Sequence, residues 1–300
     1  MSEIIPVALF AYRRADLLER TLASLRANGV SKIYAFSDGP REPSVALQVD
    51  EVRAVLRGVD WCAIEISESS TNRGIGVAML SEVSKLFERH ESLVIVEEDL
   101  EFVPGTYAFL CAALQHYRDD PRAMGVTAWT HARVTPRGVT QPFFTGRMAT
   151  FVWATWRRAW AGMGDATALQ RRDECLAEGI DPARFGDDLV ESPKHEVEKA
   201  MWDVRFNLHM LARRGLFLYP AASMVRHTGY DSRAMNLPSE AGWEDVVVPA
   251  PVVRDIRWPT AIEYPGSDLL WRCALNAQAH LTLVRIVMPT TNRIHGTEAV

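Results

Sequence analysis

Along the first 130 residues, short apolar runs rich in β-branched residues alternate with longer stretches whose apolar positions recur every three or four residues. The short runs predict strands over 4–11, 33–37, 62–67, 93–97 and 124–130. Between the first two, Asp16 is placed to cap a helix whose Leu17, Leu18, Leu22 and Leu25 share one face, with Gly29 as its stop. A second helix opens near Ile75, after Asn72-Arg73-Gly74, and a third near Gly105. Strands joined in this way by helices predict an open, parallel α/β sheet, whose ligands gather beyond the carboxyl ends of the strands. Three polar clusters fall on those ends and are expected to converge: Tyr12-Arg13-Arg14, Ser37-Asp38-Gly39-Pro40-Arg41 and Glu97-Glu98-Asp99.

Beyond residue 130 the pattern is less regular. Phe151 to Trp156 leads into a predicted helix, and an acidic loop surrounds Asp187 and Asp188. A helix is expected over 197–214, ended by Gly215 and followed by a strand at 216–219 and a polar segment at 224–231. Residues 269–288 read as helix-like, with Leu270, Trp271, Leu275, Leu281, Val284 and Ile286 as apolar positions suited to domain or dimer packing. Arg272, Asn276, Gln278 and Arg285 interrupt that stretch too often for it to span a bilayer.

Composition narrows the classes. The 300 residues are 48% hydrophobic and 24% charged, an ordinary balance for a soluble protein with one large core. A formal net charge of -5 disfavours a nucleic-acid backbone as partner. Cys62, Cys111, Cys175 and Cys273 are scattered without a C-x-x-C pair, so they read as reduced thiols. With no secretory leader in front of the first strand, a cytoplasmic site is expected.

The densest chemistry is Leu93-Val94-Ile95-Val96-Glu97-Glu98-Asp99, in which a buried strand runs directly into three acids. Adjacent carboxylates repel one another, and beside apolar packing they require a cation or hydrogen-bond donors. Mg²⁺ and Mn²⁺ take carboxylate oxygen while keeping positions for phosphates, which makes a metal diphosphate site the natural explanation. A solvated acidic turn, or an acidic cap on the following helix, is the competing reading.

With these segments in place the chain resembles the GT-A glycosyltransferases, particularly the N-acetylglucosaminyltransferase I family and related bacterial polysaccharide transferases. Pro6-Val7-Ala8-Leu9-Phe10-Ala11-Tyr12-Arg13-Arg14 is similar to the family's first nucleotide-binding strand, and Ser37-Asp38-Gly39 to its second. Val94 to Glu101 resembles the strand ending in the acidic metal motif, with Pro104 and an aromatic helix behind it. Lys199-Ala200-Met201-Trp202-Asp203 resembles the acceptor-side segment that carries the base. The resemblance implies a Rossmann-like GT-A fold, a mostly parallel sheet flanked by helices with a C-terminal acceptor-side extension. Residues 1–130 would form the nucleotide-sugar-binding half, 131–235 the acceptor-binding and catalytic half, and 236–300 an extension for packing or dimerisation. It further implies transfer from a nucleotide-diphosphate sugar, UDP-sugar favoured, to a carbohydrate or lipid-linked glycan acceptor in polysaccharide or glycoconjugate synthesis. A lipid-linked acceptor would bring peripheral membrane contact.

In this scheme Ala11, Arg14 and Asp38 hold the nucleotide, Glu97 and Glu98 contact the nucleoside or order water, and Asp99 binds Mn²⁺ or Mg²⁺. Two departures stand out: Glu-Glu-Asp replaces the more usual Asp-x-Asp, and Asp203 is alone where the eukaryotic branch has paired acids. His227, after a short strand, is a second metal ligand, or else a helper hydrogen-bonding the backbone or a solvent-exposed loop residue. Arg73 is placed to meet phosphate together with the N–H groups of the helix behind it, or simply to start that helix. Asp203 is the candidate general base of an inverting transfer, with Asp187 and Asp188 as competitors and a solvated helix face as the plain alternative. Trp153 and Trp156, with Trp160 nearby, are either acceptor-stacking faces or core. Two other classes remain: a sugar-phosphate nucleotidyltransferase, whose Gly-rich loop would stand where this chain has Ala11-Tyr12-Arg13-Arg14, and a non-catalytic binding module of the same fold.

Overall fold

Each apolar run of the first 130 residues forms a strand whose ends fall within three residues of those expected. The computed structural model describes residues 4–196, 200–230 and 255–275. The strands are β1 (Val7–Ala11), β2 (Lys32–Ser37), β3 (Ala63–Glu68), β4 (Ser92–Glu97), a short β5 (Leu100–Phe102) and β6 (Ala123–Thr127). Helices α1 (Ala15–Ala27), α2 (Ala46–Arg57) and α3 (Ile75–Phe87) link β1 through β4 in turn, and α4 (Thr106–His116) precedes β6. Crossover helices leave room only for parallel pairing, and β3, β2, β1 and β4 lie side by side in parallel. The central strands are apolar along their length because both faces are covered: Val7, Ala8, Leu9, Leu93 and Val94 have no exposed surface.

Helix α1 buries Leu17, Leu18, Leu22 and Leu25 as its spacing dictates, but it starts two residues earlier than expected. Arg14, not Asp16, is the N-cap, and Asp16 sits in the first turn, where its charge complements the helix dipole. Gly29 adopts a φ of +74° just beyond the end, the left-handed stop that glycine supplies without strain.

The second half adds β7 (Phe143–Thr145), β8 (Trp153–Trp156) and β9 (Leu216–Tyr219) to the same sheet, in the order β3-β2-β1-β4-β8-β6-β9-β7. Strands β7 and β8 run against the others, so the sheet is mixed but mostly parallel. The segment read as a helix entrance is therefore a central strand, β8, lying between β4 and β6; only the single turn α5 (Arg157–Trp160) follows it. Its four residues are all buried, so the sequence carries no alternation to announce it. Helices α6 (Ala168–Ala177), α7 (Asp188–Glu191), α8 (Trp202–Ala212) and α9 (Ser267–Leu275) are the remaining α-helices among the described residues. A separate antiparallel ribbon pairs β5 with β10 (Val225–His227), with His227 opposite Leu100.

Helix α8 begins five residues later than predicted, and residues 197–199 of that prediction lie outside the described part. Helix α9 covers the start of the 269–288 stretch, whereas Leu281, Val284 and Ile286 lie outside the described residues, as do Asp231 and residues 236–254. Among the described residues no helix is long and apolar enough to cross a membrane, and the four cysteines are free thiols.

Tight packing between β6 and β9 gives a direct check on this topology. A Cβ at Gly125 would lie 2.0 Å from the Phe217 ring, which leaves no room for a methyl group. Gly125→Ala is expected to lower stability by about 1–3 kcal/mol, the cost of an overpacked core, as read from urea unfolding. An unchanged midpoint would contradict this packing.

Candidate functional site

Parallel pairing of β1 with β4 sets Phe10 beside Glu97, so the chain leaves both strands at the same edge. Arg14 and the acidic trio meet there. The backbone N–H of Tyr12 donates to Oε2 of Glu98, and Arg14 Nε donates to Oε1 of the same carboxylate at 3.1 Å. The Arg14 Nη2 donates to Oδ2 of Asp99, and Nη1 donates to the Gly229 carbonyl at 3.3 Å. Below, Thr21 Oγ1 donates to the Glu98 carbonyl at 2.8 Å, while the Thr228 N–H donates to the Asp99 carbonyl at 2.8 Å. Glu98 and Asp99 are 5% and 6% exposed, so the alternative of a solvated acidic turn does not hold.

The charges are compensated from within the chain. Burial pushes the Glu98 carboxyl up, against the opposing pull of the Tyr12 N–H and of Arg14. Glu97, at the end of β4, is pushed from 4.5 to about 8, first by burial and then by the charges of Asp99 and Glu98, with Asp203 adding to the push. It therefore carries a proton at neutral pH. A metal diphosphate is not required to balance the trio: one guanidinium spans Glu98 and Asp99, and protonation relieves Glu97.

His227 arrives from the β5–β10 ribbon, its Nε2 3.5 Å from Asp99 Oδ2. Its side chain is 9% exposed, and its buried Nδ1 has no hydrogen-bond partner among the described residues. Burial holds the imidazole below its usual range, despite the opposing charge of Asp99, and so keeps it neutral. Gly229 lets the backbone pass close by: a Cβ there would lie 2.0 Å from Asp99 Oδ2 and 2.7 Å from Arg14 Nη1. A carboxylate and a neutral imidazole are suitable donors for a hard dication. The described residues hold no group of three or more His, Cys, Asp or Glu side chains suited to a metal. A cation here would draw its remaining ligands from substrate oxygens and water, as Mg²⁺ commonly does, and would share Asp99 with Arg14.

Asp38, at the end of β2, serves the scaffold. Its oxygens accept from the N–H groups of Gly39 (3.0 Å), Arg73 (2.9 Å) and Gly74 (2.8 Å), and its own N–H donates to the Ala11 carbonyl at 3.3 Å. This staples the loop ahead of α3 to β1 and leaves the Asp38 carboxylate occupied by backbone donors. The Arg73 side chain turns back onto α3, with Nη1 2.7 Å from Glu82 Oε1, instead of reaching toward the edge.

Asp203 stands half-buried in the first turn of α8, held there by Asn207, which donates to the Asp203 carbonyl at 2.9 Å and accepts from the Met148 N–H at 2.9 Å. Burial raises its carboxyl, against the Val204 N–H and the Arg147 charge. Its competitor Asp188 is gripped by Arg147 through both oxygens, at 3.0 and 2.7 Å, while Asp187 is the N-cap of α7. Trp153 and Trp156 are 1% and 2% exposed. Trp153 is stacked against Trp160 and Trp202, with centroids 6.1 and 5.3 Å away, and Trp156 Nε1 donates to the Leu114 carbonyl at 3.0 Å. Their faces are spent on the core, which corrects the acceptor-stacking expectation. The aromatic rings beside the acids are instead Phe151 and Tyr230, whose centroids lie 5.0 and 4.2 Å from that of His227. Sequence reasoning missed both; Tyr230 had a signal only in closely following His227.

The chain matches no known protein-family profile and no curated protein sequence. Solved structures that it resembles include a mannosyltransferase from Pyrobaculum calidifontis in complex with GDP-mannose and Mn²⁺, at a TM-score of 0.39 and 16% identity over 60% of this chain and 47% of that one. UDP-glucose pyrophosphorylase complexed with UDP-glucose also resembles it, at a TM-score of 0.39 and 8% identity over 73% of this chain and 90% of that one. The chain thus spans about half the length of the mannosyltransferase. At these scores the likenesses carry nothing about the reaction of this chain.

The raised Glu97 carboxyl makes stability depend on pH with a definite sign. Its folded value lies above the unfolded one, so its contribution is complete below about 4.5 and is lost as pH rises to about 8. Glu97→Gln, neutral in both states, is expected to gain stability relative to the native chain across that window. A stability difference that stays constant from pH 4 to 9 in thermal unfolding would refute the burial of this charge.

Proposed function

We propose that the chain is a glycosyltransferase of the GT-A type, moving a sugar from a nucleotide-diphosphate sugar, with UDP-sugars favoured, to a hydroxyl on a carbohydrate or lipid-linked glycan. The observation that carries this reading is the buried convergence of Arg14, Glu98, Asp99 and His227 at the carboxyl edge of a mostly parallel sheet. That edge is where open α/β sheets bind ligands. Asp203, whose charge reaches Glu97, completes the set.

Arg14 supplies planar donors that suit phosphate oxygens once Asp99 is otherwise engaged. Asp99 and His227 are the residues that would hold Mn²⁺ or Mg²⁺, and such a cation, when bound, stabilises the negative charge on a departing diphosphate. Protonated Glu97 offers a hydrogen-bond donor at neutral pH, suited to a ligand oxygen. Asp203, its basicity increased by burial, takes the proton from the acceptor hydroxyl as that oxygen attacks the sugar, which inverts the anomeric centre. Residues 1–130 would serve the donor and 131–235 the acceptor, in a cytoplasmic enzyme of polysaccharide or glycoconjugate synthesis that meets lipid-linked acceptors at the inner membrane face.

The test is nucleoside diphosphate release from UDP-, GDP- and dTDP-sugars, with and without Mn²⁺. Release that depends on the cation supports transfer. Formation of nucleoside triphosphate from nucleotide sugar and pyrophosphate would instead mark a nucleotidyltransferase, and tight binding without turnover a binding module. Asp203→Asn is expected to lower transfer by about 10²–10⁴-fold while leaving donor affinity nearly unchanged. Near-normal transfer in that variant would exclude Asp203 as the base.

A further inference from the structure

The described residues other than glycine that adopt positive φ are Val152, Arg214 and Asp255. Arg214 lies just past the end of α8, a usual place for that conformation, and Asp tolerates it through its short polar side chain. Val152 has neither excuse. A β-branched residue at a φ of +51° is strained, and such strain persists only where the surroundings over-determine it.

Here they do. The Val152 carbonyl accepts from the Ala128 N–H at 3.0 Å and from Thr127 Oγ1 at 3.1 Å. Thr127 is fully buried, and its hydroxyl in turn accepts from the Trp129 N–H at 3.0 Å. The consequence is geometric. In an extended strand, residues 151 and 153 would share a face. Instead Trp153 enters the core against Trp202 and Phe206, while half-buried Phe151 packs between Trp129, at 5.1 Å, and His227, at 5.0 Å. Tyr230, also half-buried, approaches His227 at 4.2 Å.

We infer that Phe151, turned out of β8 by the left-handed Val152 and locked by the Thr127 hydroxyl, is with Tyr230 the aromatic platform for the donor's sugar ring. The inference rests on the nucleotide-sugar reading above. Under that reading the diphosphate lies at Asp99 and His227, and the group attached to its far phosphate is the sugar. Phe151 is the ring in contact with His227 on the β8 side, and a sugar ring's C–H face is the apolar surface that an aromatic side chain accommodates. Phe151 and Tyr230 would touch the sugar and determine which sugar is accepted, whereas Thr127 is a positioning residue.

Calorimetry with UDP, GDP and dTDP, each paired with its glucose- or mannose-bearing form, tests this on the full chain. In the native protein the sugar-bearing form should bind more tightly than the bare diphosphate. Phe151→Leu, which keeps apolar volume but removes the ring, should cut that preference by about tenfold while leaving bare diphosphate affinity unchanged. Phe151→Tyr should restore it. Thr127→Val should weaken the preference and Thr127→Ser should keep it, with thermal unfolding confirming that each variant is folded. A preference that survives Phe151→Leu, or an equal loss for sugar-bearing and bare nucleotide, would overturn the platform alone. Failure of every nucleotide to bind the native chain would overturn the nucleotide-sugar reading and this inference with it.

Discussion

Two buried carboxylates can sit at the end of β4 because Arg14 spans them. The guanidinium donates to Glu98 and Asp99 at once and to the Gly229 carbonyl, so a single side chain ties the loop after β1, the end of β4 and the segment after β10. Taking either acid out of water without such a partner would cost several kcal/mol, roughly the margin by which a domain of this size is stable. The arrangement thus does structural work before any ligand arrives. It also makes the site responsive, because whatever draws Arg14 or Asp99 elsewhere must change the balance of charge around Glu97, whose proton is held by its neighbours' charges as well as by burial.

The parallel half of the sheet was legible in the sequence because its physics is local. Strands β1, β2 and β4 announce themselves as runs of buried apolar residues, and α1 as an amphipathic helix with a glycine stop, and no distant residue is needed to read them. The antiparallel half was not. Strand β8 has four buried residues with no alternation, and its place between β4 and β6 depends on pairing with chain 26 to 64 residues away, which no local pattern encodes.

The site divides in the same way. Arg14, Glu98, Asp99 and His227 were readable as a group because polar residues at strand ends have few reasons to be there, and the structure brings these four together. Their roles toward a ligand rest on chemistry and not on pattern. Asp38 and Arg73 have the residue types of ligand contacts, yet the Asp38 carboxylate is spent on backbone N–H groups of the loop before α3 and the Arg73 guanidinium on Glu82 within α3. Trp153 and Trp156 have the faces of a sugar site and are core, while Phe151 gained its position from one unfavourable backbone angle. A single sequence gives residue type but not which partner claims it first.

The central claim is that the edge formed by Arg14, Glu98, Asp99 and His227 receives the diphosphate of a nucleotide sugar. A crystal structure of the protein soaked with UDP and Mn²⁺ addresses it most directly. The account predicts an anomalous manganese peak shared by Asp99 and the diphosphate, with Arg14 moved from Asp99 toward phosphate. A nucleotide bound elsewhere, with the contact between Arg14 and Asp99 unchanged, would contradict it.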